Sequence, residues 1–175
     1  MLYLKEANVE DGEKEYEFIK SMPENENGFI NTDFGISKEE FINSALIRHI
    51  NFSLGIGLPE GYVPETLYFL WDNDVIVGLF KIRHCLNEAL SKGDGHIGYG
   101  ISKEYRGRGY ANRGLKMAVE KAWSIIPEDE IYLCVNKNNP ASFKVQINNG
   151  AYVHHEDEVK YYTRIRKYKN IAEYY

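Results

Sequence analysis

The chain has 175 residues, of which 43% are hydrophobic and 27% are charged, with 14 tyrosines and 8 phenylalanines. This size and composition indicate one globular domain over residues 1–175 and exclude a disordered or low-complexity chain. The net charge of −5 argues against nucleic acid as a partner, since nucleic-acid binders are usually basic.

Two further features bear on where the protein works. The N-terminus lacks the basic start and apolar run of a signal peptide, and no stretch approaches the roughly 20 apolar residues that cross a bilayer. Cys85 and Cys134 show neither the spacing of metal ligands nor that of a disulfide framework. We therefore expect a cytoplasmic protein with no membrane partner and no bound metal.

The first part of the chain predicts one strand followed by two helices. Alternating apolar and polar residues predict a strand over residues 1–9, and a polar helix follows over 11–21. Ser37 and Glu40 have the spacing of a capping box, which begins a second helix that ends near residue 49. The segments 23–35 and 55–65 are rich in glycine, asparagine or proline and are predicted as loops.

The rest of the chain predicts a sheet interrupted by two helices. Two β-rich runs, 66–71 and 75–83, form a hairpin, and a strand over 95–101 precedes an amphipathic helix over 110–123. After a strand over 131–135, Asn139 and Pro140 have the pattern of an N-cap and first helical residue. This helix ends at Gly150, and strands over 151–155 and 159–167 follow. Because helices and strands do not alternate regularly, the order predicts a mixed α/β sheet.

The most informative segment is the turn that opens the helix at residue 110. Arginines and glycines alternate over residues 106–109, directly before the helix. A helix N-terminus has unpaired N–H groups and a partial positive charge, and glycines there let the main chain approach a diphosphate closely. The spacing matches neither the dinucleotide-binding glycine pattern nor a P-loop. The turn therefore predicts a phosphate site of another kind.

This turn resembles the signature of the GNAT superfamily of N-acetyltransferases, [RQ]-x-x-G-x-[GA], which Arg106, Gly109 and Ala111 satisfy. Asn139 and Ser142, followed by Gly150, are similar to the second coenzyme-contacting element of that family. Further segments, such as 26–29, 58–64, 83–87 and 95–99, resemble a bacterial subfamily known only as predicted acetyltransferases. The resemblance implies a mixed, mostly antiparallel sheet of about seven strands, flanked by about four helices and splayed at the coenzyme site.

The same resemblance implies acetyl-CoA as acyl donor and a primary amine as acceptor, with direct attack in a ternary complex. The main chain near Ile101 is expected to bind the pantetheine arm, and Gly98 and Gly100 to permit a bulge there, unless they only allow close packing. The expected coenzyme-binding residues are Ile101, Arg106, Gly107, Arg108, Gly109, Tyr110, Ala111, Asn139 and Ser142.

Catalysis requires a base, because an alkyl amine is protonated at neutral pH. His96 lies on the strand where relatives carry a carboxylate base, and is either that base or a histidine packed within the sheet. His84, at the end of another strand, is a second candidate. The tyrosine that often serves as the acid is replaced by Gln146, which leaves the acid unassigned, with Tyr152 as another source of a proton.

The acceptor itself is not identified by the sequence. Asn27, Phe29 and Tyr62 lie in the loops expected to form the acceptor site, and a small molecule is slightly favoured over a protein terminus. A CoA-binding sensor or scaffold with little activity is the alternative function. The basic and aromatic run 161–169 reads as an edge strand rather than an RNA-binding surface. Dimeric relatives suggest a homodimer.

Overall fold

The structure is a computed structural model that describes residues 1–167. Within these residues, no helix combines the length and apolar character needed to cross a membrane. The strands are β1 (Leu2–Glu6), β2 (Asn25–Glu26), β3 (Phe29–Ile30), β4 (Glu65–Asp72), β5 (Val75–Arg83), β6 (Ile97–Ile101), β7 (Glu130–Asn136), β8 (Tyr152–Glu156) and β9 (Lys160–Arg166). The α-helices are α1 (Gly12–Ser21), α2 (Lys38–Glu40), α3 (Leu46–Ser53), α4 (Glu88–Lys92), α5 (Tyr110–Ala122) and α6 (Pro140–Asn148).

Seven of the nine described strands form two antiparallel sheets that meet at one point, and β2 and β3 form a separate hairpin. One sheet has the order β1-β4-β5-β6 and the other the order β7-β9-β8. A single bridge between Gly95 and Leu133 joins them, reinforced by the His96 N–H, which donates to the Tyr132 carbonyl at 2.7 Å. Beyond this junction, β6 and β7 share no ladder and leave a gap between the sheets. The predicted α/β fold with a mostly antiparallel sheet splayed at one place is confirmed, and every ladder among the described residues is antiparallel.

Two hydrophobic clusters pack on opposite faces of the first sheet. Helix α5 covers one face with Leu115, Ala118 and Ala122, all fully buried, as its amphipathic pattern predicts. Gly114 is required in this helix because a Cβ there would lie 2.4 Å from Phe80 Cζ. Helices α1 and α3 cover the other face in the second cluster.

The helix starts follow the predicted capping chemistry. The Ser37 hydroxyl accepts from the Glu40 N–H at 3.1 Å, and the Asn139 side chain accepts from the Ser142 N–H at 3.2 Å. A π-helical segment, Phe41–Ala45, links α2 to α3 and was not predicted. The prediction that the run 161–169 is an edge strand was wrong, because its described residues belong to β9, which pairs with β7 on one side and β8 on the other. The last two residues of the run lie outside the described part of the chain.

One predicted loop contains a hairpin. Strands β2 and β3 pair through a two-residue turn in which Asn27 has φ 53° and Gly28 has φ 90°. Asn-Gly is the strongest short-range hairpin signal because both residues tolerate positive φ. The prediction of a loop over 23–35 was therefore wrong for this hairpin. Strands of only two residues are too short to show an alternating pattern in the sequence.

We predict that Glu15→Gln flattens the pH dependence of folding stability. The Glu15 side chain is fully buried, and burial raises its pKa from an ordinary 4.5 to about 8. Because the folded state holds this proton more tightly than the unfolded state, stability is highest below the ordinary pKa and declines as the pH rises toward 8. Melting temperatures between pH 5 and pH 8 should therefore fall less in the variant than in the wild type.

The control is Glu17→Gln, which removes an exposed carboxylate from the same helix. It should keep the wild-type pH dependence. A Glu15→Gln variant whose melting temperature follows the wild-type curve across this range would contradict the prediction.

Candidate active site

A cleft of about 610 Å³ lies at the mouth of the gap between the sheets. One side is formed by the β2–β3 hairpin, α3 and the loop 59–63, and the other by α4, β7 and the start of α6. Its floor consists of the ends of β4 and β5 together with β6. Strands of both larger sheets, the hairpin and helices α3, α4 and α6 therefore line the cleft.

The register of β6 determines which main-chain groups face the gap. The Arg83 N–H donates to the His96 carbonyl at 2.8 Å, and the Ser102 N–H donates to the Val77 carbonyl at 3.1 Å. Hydrogen-bonded positions alternate in an antiparallel ladder, so Gly98 and Gly100 face β5. The main-chain groups of the residues between them, such as Tyr99, consequently point into the gap.

Ile101 belongs to this second set, as expected for a residue that offers its main chain to a ligand. Its carbonyl accepts from Arg106 Nε at 3.0 Å. Tyr99 reaches across the gap, where its hydroxyl lies 2.7 Å from Ser142 Oγ. Burial raises the pKa of Tyr99 to about 12, so its hydroxyl stays protonated.

Side chains from other parts of the chain lie against the two glycines of β6. The ladder with β5 runs without a register shift, so the expected bulge at Gly98 and Gly100 was wrong. A Cβ at Gly100 would lie 2.9 Å from Met22 Cε, and one at Gly98 would lie 3.8 Å from the Phe29 ring. Gly100 thus makes room for Met22, whereas a Cβ at Gly98 would make only an ordinary contact with Phe29.

The glycine-rich turn before α5 is open to solvent. Gly107 and Gly109 have φ of 75° and 77°, and neither has a heavy atom within 4 Å of an added Cβ. Gly109 is the residue before the first turn of the 13-residue helix. The turn thus has the positive φ and the free space that a closely approaching ligand requires.

The side chains of the turn differ in what they contact. Arg106 forms an ion pair with Glu26 of the hairpin, so it connects the turn to the cleft wall. The Tyr110 hydroxyl donates to Asp72 at 2.6 Å, and the Arg108 guanidinium lies 5.7 Å from the Tyr105 ring centre. Residues 106–111 do not line the cleft, whereas Asn139 and Ser142 do.

The three predicted acceptor-site residues all line the cleft. Phe29 rests on the two glycines of β6, and the Asn27 carbonyl accepts from Asn136 Nδ2 of β7 at 3.1 Å. The hairpin therefore spans the gap from one sheet to the other. Tyr62 is exposed, and the centre of its ring lies 6.2 Å from the centre of the Phe52 ring.

His96 does not face the cleft. Its side chain is fully buried, and its Nδ1 accepts from the Tyr132 N–H at 2.9 Å. The proton is therefore on Nε2, which lies 3.2 Å from a Glu128 oxygen. Burial lowers the pKa of His96, although Glu128 opposes this. The geometry corresponds to a histidine packed within the sheet and offers an acceptor amine no access to it.

His84 is also outside the cleft. Its Nε2 lies 2.8 Å from Thr66 Oγ1, in a separate depression that includes Glu6 and Lys121. Burial lowers its pKa, which keeps the ring neutral. The two histidines proposed from the sequence as bases are therefore not brought together with the acceptor-site residues.

A different histidine lines the cleft. His49 of α3 is 7% exposed, and its Nε2 lies 2.6 Å from Oδ2 of the buried Asp33. Burial raises the pKa of Asp33, but the hydrogen bond from His49 and the charges of His49 and Arg48 outweigh this and lower it. Sequence reasoning missed the pair because its members are 16 residues apart in a loop and a helix.

Gln146 and Tyr152 are held in contacts of their own, whereas Cys134 lines the cleft. Gln146 is buried and donates to the Cys134 carbonyl at 3.1 Å while it accepts from Thr163 at 2.8 Å, so it pins α6 to the second sheet. The Tyr152 hydroxyl donates to Glu130 at 2.7 Å. Burial raises the pKa of Cys134, which keeps it a thiol.

Comparisons with known proteins agree with this architecture. The model of the "Acetyltransferase (GNAT) domain" family matches residues 60–151, just over half of the chain. A GNAT-family acetyltransferase structure from Streptococcus pneumoniae superposes with a TM-score of 0.61 at 19% identity, covering 94% of this chain and 97% of that one. No curated protein sequence matches.

Two further solved structures have the same fold. The Campylobacter jejuni N-acetyltransferase PseH in complex with acetyl coenzyme A has a TM-score of 0.60 at 13% identity, covering 95% of this chain and 99% of that one. Mutant forms of the Vibrio cholerae spermidine/spermine N-acetyltransferase SpeG have a TM-score of 0.63 at 15% identity, covering 100% of both chains.

We predict that His96→Ala lowers stability by about 2–4 kcal/mol, because it leaves a cavity and an unpaired buried N–H at Tyr132. Urea unfolding measures this loss. His96→Asn should lose less, since its side-chain oxygen can replace Nδ1 as an acceptor. The exposed His154→Ala should change stability by less than about 0.5 kcal/mol. Equal losses for His96→Ala and His154→Ala would show that the junction does not depend on His96.

Proposed function

Because the chain belongs to the GNAT acetyltransferase family, we propose that it transfers an acetyl group from acetyl-CoA to a primary amine. The amine attacks the thioester directly while both substrates are bound. The observation that carries this proposal is the gap between β6 and β7, with the open N-terminus of α5 beside it and a partly enclosed cleft at its mouth.

The proposed coenzyme site follows the gap. The diphosphate binds the turn 106–111 through main-chain amides at the start of α5, with Arg108 adding charge. The pantetheine arm runs along the β6 edge, where the outward-facing main chain of Tyr99 and Ile101 can pair with it like an added strand. Asn139 and Ser142 lie across from this edge, at the start of α6.

The reaction needs a neutral amine. Its nitrogen forms a bond to the thioester carbonyl carbon, the carbon–sulfur bond breaks, and the coenzyme leaves as a thiolate. One proton leaves the nitrogen, and the thiolate takes up one proton from solvent. An acid residue is not required, in agreement with the Tyr152 hydroxyl, which is committed to Glu130.

We propose that His49 accepts the proton that leaves the amine. Its Nε2 is paired with Asp33, so its other ring nitrogen is the one available to the cleft. The buried carboxylate orients the ring and stabilises the imidazolium that forms when a proton is accepted. The π-helical segment before α3 also supports this assignment, because such segments re-aim side chains and recur at functional sites.

A small-molecule acceptor is supported by the shape of the cleft. The hairpin and the loop 59–63 enclose it, and Asn87 Nδ2 donates to the Gly61 carbonyl at 2.8 Å, which connects this loop to the start of α4. A partly enclosed cleft of about 610 Å³ favours a compact acceptor over an extended protein terminus.

We expect Gly109→Glu to abolish acetyl-CoA binding while the protein stays folded. The new side chain has space, since nothing lies within 4 Å of its Cβ, but it places a negative charge where the diphosphate binds. Calorimetric titration with acetyl-CoA measures the effect. The positive φ costs about 1–2 kcal/mol of stability.

Gly57→Glu is the matched control, because Gly57 also has a positive φ and open space but lies in an exposed loop outside the cleft lining. It should carry the same strain and still bind acetyl-CoA. Binding by Gly109→Glu with wild-type affinity would remove the diphosphate from this turn. Binding by the wild type without turnover of any amine would instead favour a CoA sensor.

We expect His49→Gln to lower kcat/KM for the acceptor about 100-fold at pH 7, the scale of a lost general base. The pH–rate profile should then follow the ionisation of the amine alone, and affinity for acetyl-CoA should be unchanged. His155→Gln, an exposed histidine on β8, is the control. A variant with the wild-type rate and pH profile would exclude His49 as the base.

A further inference from the structure

Five charged side chains form a continuous row along the cleft. Lys81 Nζ lies 3.3 Å from Glu65, which lies 3.8 Å from Arg83 on its other side. Arg83 lies 4.0 Å from Asp94, and Asp94 lies 3.7 Å from Lys160. All five residues line the cleft. We call them the charge row.

The charge row contains three cations and two carboxylates. Glu65 lies between Lys81 and Arg83, and Asp94 lies between Arg83 and Lys160, so each carboxylate already has two cationic neighbours. The remaining carboxylate that lines the cleft within residues 1–167, Glu26, is paired with Arg106. No carboxylate in the described lining is thus left over for a second ammonium group of a polycation.

Lys81 is the cation best placed to contact an acceptor. It is 15% exposed, and Glu65 is its ion-pair partner among the described residues, although an ammonium has three N–H donors. In the β5–β6 ladder, Lys81 stands directly opposite Gly98, beside the main chain that faces the gap. An anionic group held by Lys81 would therefore lie within a few atoms of the amine that reacts.

We propose that the acceptor is an amine that also carries an acidic group, a carboxylate or a phosphate, and that Lys81 and Arg83 bind this group. This inference rests on the proposed acetyl transfer and specifies its substrate class. The excess positive charge of the row also disfavours the ammonium form of the bound amine, which assists its deprotonation. Because the site is partly enclosed, solvent screens these charges less. Both the binding of the acidic group and the deprotonation of the amine are therefore strengthened.

The test compares amines in pairs that differ in the acidic group. Acetyl-CoA-dependent thiol release is measured with phenylalanine and phenylalaninamide, with glucosamine 6-phosphate and glucosamine, and with spermidine. In one pair or both, the acidic member should have a kcat/KM at least about tenfold above its neutral partner, as expected for one hydrogen bond to a charged group. Which pair responds distinguishes carboxylate from phosphate. Spermidine should be a poor acceptor.

A lysine variant tests whether the charge row is responsible. Lys81→Met should reduce the ratio of kcat/KM between acidic and neutral acceptors about tenfold. Lys92→Met, which removes an exposed lysine paired with Glu88 on α4, should keep the ratio. Melting temperatures check that both variants fold, and the wild-type ratio tests the proposal without any variant.

The outcomes separate the two proposals. Turnover of neutral amines or spermidine, with no preference for the acidic partners, would overturn the acidic-acceptor proposal and leave acetyl transfer standing. A ratio that Lys81→Met does not change would remove the charge row as its cause. Turnover of no amine at all would overturn the proposed function, and this inference with it.

Discussion

The site depends on one junction at which two strands meet and then diverge. Gly95 and His96 pair with Tyr132 and Leu133, and no ladder continues beyond them. Gly95 has φ 69°, and a Cβ there would lie 2.2 Å from the Tyr132 carbonyl oxygen, so only glycine permits the contact. His96 completes the junction through its buried ring nitrogen. Because the strands are fixed here, they can separate afterwards and expose main chain on both sides.

The two ends of the gap are connected through the hairpin. Glu26 contacts Arg106 of the glycine-rich turn, and the Asn27 carbonyl contacts Asn136 on β7. Phe29 lies on the glycines of β6 between these contacts. The segment 26–29 thus links the proposed coenzyme turn, the edge of β6 and the acceptor cleft. Through this linkage Arg106 of the family signature contacts a residue of the cleft, Glu26, although it does not line the cleft itself.

The electrostatics of the cleft differ from those of the whole chain. The protein has a net charge of −5, yet the charge row has one more cation than carboxylates. The overall charge argued only against nucleic acid as a partner, whereas the local groups favour an acceptor that carries its own acidic group. Local charges decide because they act at short range and with less screening than those on the surface. Family membership establishes an acetyl-CoA-dependent N-acetyltransferase, and the charge row bears on which amine it uses.

The sequence by itself determined the family, the order of the seven strands in the two larger sheets and the glycine-rich turn at the start of α5, but not the β2–β3 hairpin or α4. These are local features: Gly109 precedes the helix, Ser37 and Asn139 cap their helices, and the apolar face of α5 follows from its periodicity. The tertiary structure alone decided which side chains share the cleft. His96 and His49 look alike in sequence, but one is enclosed at the junction and the other lines the cleft beside Asp33. The physical reason is that burial and pairing across 16 or more residues depend on packing, which no local pattern encodes.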